Sequence, residues 1–427
     1  MPRARRAPRA RPLGSGTYAG RVRLPWFPLL TLSAAIFVAV TSEFLPIGLL
    51  PQMAAELEVT EAQVGMLVTV FAGTVVVATA PLVHVTRALP RKTLLLILLA
   101  GFAAANLMAA LAPGYAVLLA ARVLGGAAHG VFWAVVSPYS ARLVPPERLA
   151  SAVAIATSGA TLASIGGLPL GTLLGVALGW RASFAIIAGV VVLIGVIVVV
   201  VLPPVSVPLP VAEARQRAFR DPTFWPVVVL CLTVALVTLG HASYYTYIAP
   251  WVIDVASFAP ETVAGVLLLF GAAGALGVAA AGVLGDRFPR SLLPIMLLGV
   301  VGAVLGVAAI AAVAAAPSPV LVVALLVAWS AFLGGVPIIF QARLLQTASE
   351  ALRDIGSAWL TVAFNAGIGG GALVGGLVLD GPGLEALPLV TAACVLVALV
   401  VVLATLRRSA PARQTRPPHR EATRTHR

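Results

Sequence analysis

From Trp26 onward the chain reads as apolar runs of about 20 residues, broken by short polar or Pro/Gly joints. Twelve runs stand out, over 26–51, 62–84, 93–112, 116–138, 151–176, 183–203, 224–250, 262–284, 292–314, 320–341, 356–379 and 388–406. A bilayer core of ~30 Å needs ~20 apolar residues per helix, so each run is long enough to span it. The two-residue alternation of a membrane barrel is absent, and only a helix satisfies every backbone group within one segment. The pattern therefore predicts an all-α integral membrane protein with twelve transmembrane helices.

Composition agrees. The 427 residues are 60% hydrophobic and 10% charged, with a mean hydropathy of +1.04, whereas a soluble domain carries about 25% charged residues. No soluble fold of this length hides so much apolar surface. Cys231 and Cys394 both fall inside predicted helices without paired spacing, so neither a disulfide nor a metal site is expected.

The basic residues orient the chain. With the first tail placed inside and the joints alternated, all but two of the 28 Lys and Arg residues lie in inside segments, the exceptions being Arg122 and Arg181. The outer joints carry Glu56, Glu58, Glu61, Asp254, Glu261, Asp380 and Glu385 instead. The positive-inside rule then puts both termini in the cytoplasm. The net charge of +13 serves orientation and attraction to anionic lipid rather than nucleic acid, since a single aromatic residue, Tyr18, lies among the arginines of the two basic tails. Nearly all the basic residues are Arg, which points to a GC-rich bacterial genome and so to a bacterial cytoplasmic membrane.

The longest internal joint, "PPVSVPLPVAEARQRAFRDPTF", divides the chain six helices plus six. The expected organisation is a basic cytoplasmic tail 1–25, a six-helix half 26–203, a cytoplasmic linker 204–223, a second half 224–406 and a basic tail 407–427. The joint after the second run, "RALPRKTLL", is echoed by "DRFPRSLL" after the eighth, which aligns Pro90 and Arg91 with Pro289 and Arg290. Two related six-helix halves around a midplane site, joined by a pseudo-two-fold axis, are a transporter design. Many of the 40 Gly residues sit within runs, as in "GGLPLGTLLG" and "GIGGGALVGG". In lipid such small residues allow close helix contact, and Pro169 is a candidate kink in the fifth run.

Several motifs resemble the major facilitator superfamily, in its twelve-helix drug:proton antiporter branch. "GVLGDRFPR" at 282–290 is similar to that family's G-x-x-x-D-R-x-G-R joint, with Pro289 in place of Gly. "RVLGGAAHG" at 122–130 resembles its helix 4 motif, and "GGLPLGTLLG" followed by "GWRASF" a variant of its helix 5 antiporter signature. "TSEFLPIGLLPQMAAEL", "GHASYYTYIAP", "FQARL" and "NAGIGGGALVGG" look like the sugar efflux, or arabinose efflux permease-like, subgroup. The resemblance implies proton-coupled export of small amphipathic solutes, sugars or drugs, by alternating access in a monomer. The alternative within the same fold is proton-coupled uptake of a sugar or nucleoside. The family's cytoplasmic charge latch would fall on Arg91, Asp286, Arg287 and Arg290. The first-half joint departs from the pattern, with Arg87 at the usual Asp and Val83 at the usual Gly.

The residues themselves supply candidate chemistry. Glu43 lies eight residues before Pro51, ~12 Å below the outer end, and Arg122 ~9 Å below the same surface on the fourth helix. An unpaired charge near the bilayer centre costs ~2.5–3.5 kcal/mol on insertion scales, so both should face the interior and find partners. Burial favours the neutral form of a carboxyl and a nearby cation the charged form. Glu43 is therefore a candidate proton carrier and Arg122, always charged, its modulator. A fixed ion pair between the two helices is the structural alternative, and direct binding of a cationic solute a third reading. His129 and Trp133 follow Arg122 on one helix face, which makes His129 a candidate relay.

His241, Tyr244, Tyr245, Trp133, Gln341 and Asn365 are candidate lining groups for an amphipathic solute. Tyr247 and Trp251 suit an interfacial aromatic belt. No G-x-x-x-x-G-K-[ST] loop and no HExxH pair occurs. Neither ATP-driven transport nor an intramembrane enzyme is expected, and the energy source would be a proton gradient with no bound cofactor.

Overall fold

A computed structural model describes residues 24–205, 220–313 and 318–408 of the chain. Twelve helices among these residues are long and apolar enough to cross a membrane. They are α1 (Trp26–Leu57), α2 (Glu61–Thr86), α3 (Arg91–Ala110), α4 (Tyr115–Arg142), α5 (Ser151–Leu178), α6 (Trp180–Val201), α7 (Phe224–Tyr245), α8 (Pro260–Leu284), α9 (Leu292–Val313), α10 (Pro319–Thr347), α11 (Ile355–Asp380) and α12 (Leu384–Arg407). The described residues contain no strand. Tails 1–23 and 409–427 and most of the expected linker lie outside the described residues.

The packing repeats after six helices. In the first six, α1 packs on α5, α2 on α4, α3 on α4 and α3 on α6. In the second six, α7 packs on α11, α8 on α10, α9 on α10 and α9 on α12, the same pairs advanced by six. The main contacts between the groups are α2 with α11 and α5 with α8, which exchange under the same shift. At the α5–α8 crossing the backbones nearly touch: a Cβ on Gly271 would stand 2.0 Å from the carbonyl oxygen of Ser164. Only glycine fits there, so that small residue belongs to an inter-half contact.

Local sequence shapes the irregular places. Thr60 and Gln63 form a reciprocal capping box that starts α2. Pro51 does not end α1, which continues to Leu57 and stops at Glu58 in a left-handed conformation (φ 53°). Spanning helices tolerate an internal proline because neighbouring groups satisfy the freed carbonyl. In α5 the chain makes a π-helical turn over Ala163–Gly167, directly before Pro169, the expected kink site. The seventh helix ends at Tyr245 rather than 250, followed by a short turn Ile248–Pro250 and a π turn Trp251–Val255.

Twelve crossings return the chain to the end at which it begins, here called the termini end. At the opposite, far end, α2 and α11 close on each other, and the Thr69 hydroxyl donates to the Gly369 carbonyl at 2.9 Å. Further along α2 toward the termini end, Val77 and Val85 are exposed. Arg181, the one basic residue of the far loops, pairs with Glu56, rests over the Trp180 ring and donates to the Ala112 carbonyl.

Candidate functional site

The polar cluster inside the first half begins with a proline. Pro46 has no N–H, so the carbonyl of Ser42, four positions earlier, loses its helical donor. The guanidinium of Arg122 on α4 takes it, with Nη1 donating to the Ser42 oxygen at 2.9 Å and Nη2 to the Glu43 oxygen at 2.6 Å. Its Nε donates to the Leu67 carbonyl of α2 at 3.3 Å, and its Cζ lies 4.2 Å from the Phe71 ring centroid. Arg122 thus ties three helices together through backbone oxygens rather than through a carboxylate.

Glu43 is 5% exposed and turns to α4, where Oε2 lies 3.4 Å from Nε2 of His129. The indole of Trp133 donates to the same Nε2 at 2.7 Å. One ring nitrogen therefore faces two partners, and it either accepts from Trp133 or donates to Glu43. The other nitrogen, Nδ1, is buried without a partner, and the rings of Phe71 and Phe102 stand edge-on to the imidazole. The cluster closes through Ser42, whose hydroxyl donates to Asn106 of α3 at 2.8 Å. The Asn106 amide in turn donates to the Phe102 carbonyl. A carboxyl beside an imidazole can hold or pass one proton.

A cavity of 540 Å³ lies between the halves, bounded by α1, α2, α5, α7, α8, α10 and α11. His241 and Tyr245 of α7 form part of its wall, stacked at 4.9 Å with their planes 22° apart. Tyr245 stacks in turn on Phe270 of α8 at 5.1 Å. Hydroxyls from Thr157, Thr161, Ser164, Thr238, Thr246 and Ser330 interrupt a mostly apolar wall, and among the described residues no Asp, Glu, Lys or Arg contributes to it. Glu43 is not part of the wall, although Val40, Phe44 and Ile47 beside it on α1 are.

The other candidates lie off that wall. Tyr244 is fully buried behind it, stacked on Trp329 at 4.8 Å. Trp133 belongs to the Glu43 cluster. The Asn365 amide donates to Thr361 one turn back at 3.0 Å, and Gln341 reaches Ser357 at 3.4 Å. Tyr247 and Trp251 do not form an interfacial belt: both are buried, at 0% and 1% exposure, because the chain leaves the α7 axis just before them. Of the latch candidates, Arg91 is buried at the start of α3, whereas Asp286, Arg287 and Arg290 are exposed on the α8–α9 turn. No ion pair between described residues involves Asp286; Arg287 lies 5.6 Å from the Phe288 ring. Among the described residues no cluster suits a metal ion.

Two related bundles enclosing one cavity, with a buried acid beside it, define a carrier class, and comparison with known proteins agrees. Residues 32–355 match the Major Facilitator Superfamily. Proteins from Helicobacter pylori strains G27 and J99, each named a probable sugar efflux transporter, are 32% identical over 385 residues, covering 87% of this chain and 93% of theirs. In fold, the chain is similar to a bacterial homologue of the human lysosomal transporter Spinster, solved inward-facing and unoccupied. The TM-score is 0.68 at 17% identity, over 91% of this chain and 98% of that one. It is also similar to the human organic anion transporter MFSD10 (TETRAN), with a TM-score of 0.66 at 15% identity over 88% and 99%. The chain belongs to the major facilitator superfamily and is a multi-pass membrane transporter.

Proposed function

We propose that this protein is a proton-coupled exporter of small amphipathic solutes, sugars foremost, working by alternating access. The observation that carries the reading is the placement of Glu43. It is buried against His129 and held at the Arg122 clamp, one helix face away from a cavity to which its neighbours Val40, Phe44 and Ile47 contribute. A proton arriving at Glu43 changes the charge of α1 at the cavity wall and so biases which end opens. Glu43 would carry the proton, His129 would share it, and Arg122 would hold α1 in register.

His241 and Tyr245 would present ring faces, and the threonine hydroxyls hydrogen bonds, to a solute with both kinds of surface. The names of the 32% identical relatives support efflux of sugars. The proton gradient would be the only energy source, with no bound cofactor and a single chain as the working unit. The basic residues favour a bacterial cytoplasmic membrane with both termini inside.

The test is reconstitution into vesicles with an imposed pH gradient, screening sugars and drugs for transport and its direction. The expected result is solute movement opposite to the proton, abolished by Glu43→Gln while that variant still inserts. Movement with the proton would make it an uptake carrier, and undiminished pH-driven transport in Glu43→Gln would remove Glu43 from the coupling.

A further inference from the structure

Tyr247 sits between the two halves at the far end, in a slot made of glycines. Its hydroxyl donates to the Ala372 carbonyl of α11 at 2.9 Å, which ties the ring to its own half of the molecule. The side chain lies along Gly375 and Gly376 of α11, where an added Cβ would stand 2.7 Å from a ring carbon and 2.8 Å from the phenol oxygen respectively. Its tip then crosses to the first half. A Cβ on Gly65 of α2 would stand 2.0 Å from the phenol oxygen and 2.5 Å from the ring carbon bearing it. The second half thus holds a knob, and the first half supplies its hole.

One turn along α2, Thr69 bonds across the same seam to Gly369. Gly65 and Thr69 lie four residues apart and so on one face of α2, in the register set by the Thr60–Gln63 capping box. Tyr247 itself is completely enclosed.

We propose that Tyr247 is the positioning residue of the far-end gate: its phenol seated at Gly65 closes the cavity to that side, and it must leave the Gly65 slot for that side to open. This rests on the alternating-access reading above. The inter-half part of the contact is shape alone, because the hydroxyl's hydrogen bond stays within the second half. Such a contact can part without stranding a buried polar group. Filling the hole or shrinking the knob should therefore disfavour the closed far end and shift the population toward the opposite state.

The test uses the full chain with Cys231 and Cys394 replaced by Ala and one reporter, Ile368→Cys, on the cavity wall. A membrane-impermeant maleimide is applied from each side in turn to vesicles of both orientations. Gly65→Ala and Tyr247→Leu should each speed labelling from the far side, about tenfold, and slow it from the termini side. The double variant, a smaller knob in a filled hole, should label more nearly like the parent than the single variants predict.

Singles that leave far-side labelling unchanged, or a double variant that is simply additive, would overturn the gate. If Gly65→Ala does not insert, Tyr247→Leu alone decides by the same reading. If Glu43→Gln moves the reporter's accessibility while both gate variants do not, the gate fails and alternating access stands. If the reporter never becomes accessible from the far side in any variant or at any pH, both fail together.

Discussion

Arg122 occupies the carbonyl that Pro46 sets free. The proline removes the donor that Ser42 would have had within α1, and the guanidinium supplies two N–H groups to Ser42 and Glu43, at 2.9 and 2.6 Å. The pair explains why a membrane helix keeps both a proline and a facing arginine. The arginine pays for its burial with three carbonyl oxygens and a ring face rather than with a counter-charge.

Arg122→Lys should therefore fail although it conserves charge. An ammonium cannot span the Ser42, Glu43 and Leu67 oxygens in the fork geometry. Interhelical hydrogen bonds in lipid are worth ~0.6–1.7 kcal/mol each, so the loss of two should cost ~1–3 kcal/mol. The expected outcome is a fall of a few degrees in the thermal midpoint of the detergent-solubilised protein. Adding Pro46→Ala, which returns an N–H to the Ser42 carbonyl, should recover part of that loss. No recovery in the double variant would show that the proline and the arginine are independent.

His129 and Trp133 should separate in their effects on transport. The Trp133 indole and the Glu43 carboxyl compete for one imidazole nitrogen, 2.7 and 3.4 Å away. His129→Ala removes the only described side chain in ion-pair contact with the Glu43 carboxyl, and pH-driven transport should fall at least about tenfold, the scale of one lost positioned proton group. Trp133→Phe leaves Nε2 free for Glu43 and should retain transport within about threefold, less than the ~1.4 kcal/mol that makes a factor of ten. Equal losses in the two variants would assign both residues to packing.

Part of this cluster was legible in the sequence. Helix rise alone put Glu43 and Arg122 at matching depth, and helical spacing put His129 and Trp133 on the face of Arg122, because α1 and α4 stay helical where these residues sit, despite the hydrogen bond lost at Pro46. Asn106 is not legible in this way, since one amide in an apolar run carries no periodic signal until Ser42 is seen opposite it. The proline's role was hidden because its consequence appears on another helix. Tyr247 lies inside the protein rather than in a belt because α7 ends at Tyr245, and helical projection past that point assigns the wrong face. Tyr244 and Tyr245 are adjacent and so diverge by about 100° on a helix. Only Tyr245 reaches the cavity, and spacing alone left that choice open.

At the termini end, Asp221 joins the start of α7 to the α10–α11 turn. Its carboxylate accepts from the Ser349 hydroxyl at 2.5 Å and from the Thr223 amide and hydroxyl at 2.7 and 2.6 Å. The Ser349 hydrogen bond, then those of Thr223, hold its pKa below the ordinary 3.8. A lowered native pKa gives stability that is present above the unfolded value and is lost as pH falls through the native one. Asp221→Ala should therefore lower the thermal midpoint at neutral pH. The gap from the parent protein should narrow as the pH drops below the ordinary value. A gap that stays constant into acid would mean that the carboxylate's charge does not matter at this joint.

Among the described residues no Asp, Glu, Lys or Arg lines the cavity, and that sets which solutes can enter. A charged solute would leave its hydration without gaining a counter-charge, at a cost on the scale of the ~2.5–3.5 kcal/mol for a charged side chain at mid-membrane. Such a penalty corresponds to roughly a hundredfold in affinity. Neutral glycosides should therefore inhibit counterflow about a hundredfold better than carboxylate or ammonium analogues of the same shape. A neutral solute exchanged for a proton also moves net charge across the membrane. In vesicles without a pH gradient, a potassium diffusion potential set with valinomycin should drive solute movement, and reversing its sign should reverse the flux. Charged analogues that compete equally would show that the wall does not select by charge, and a flux indifferent to potential would remove uncompensated proton exchange from the cycle.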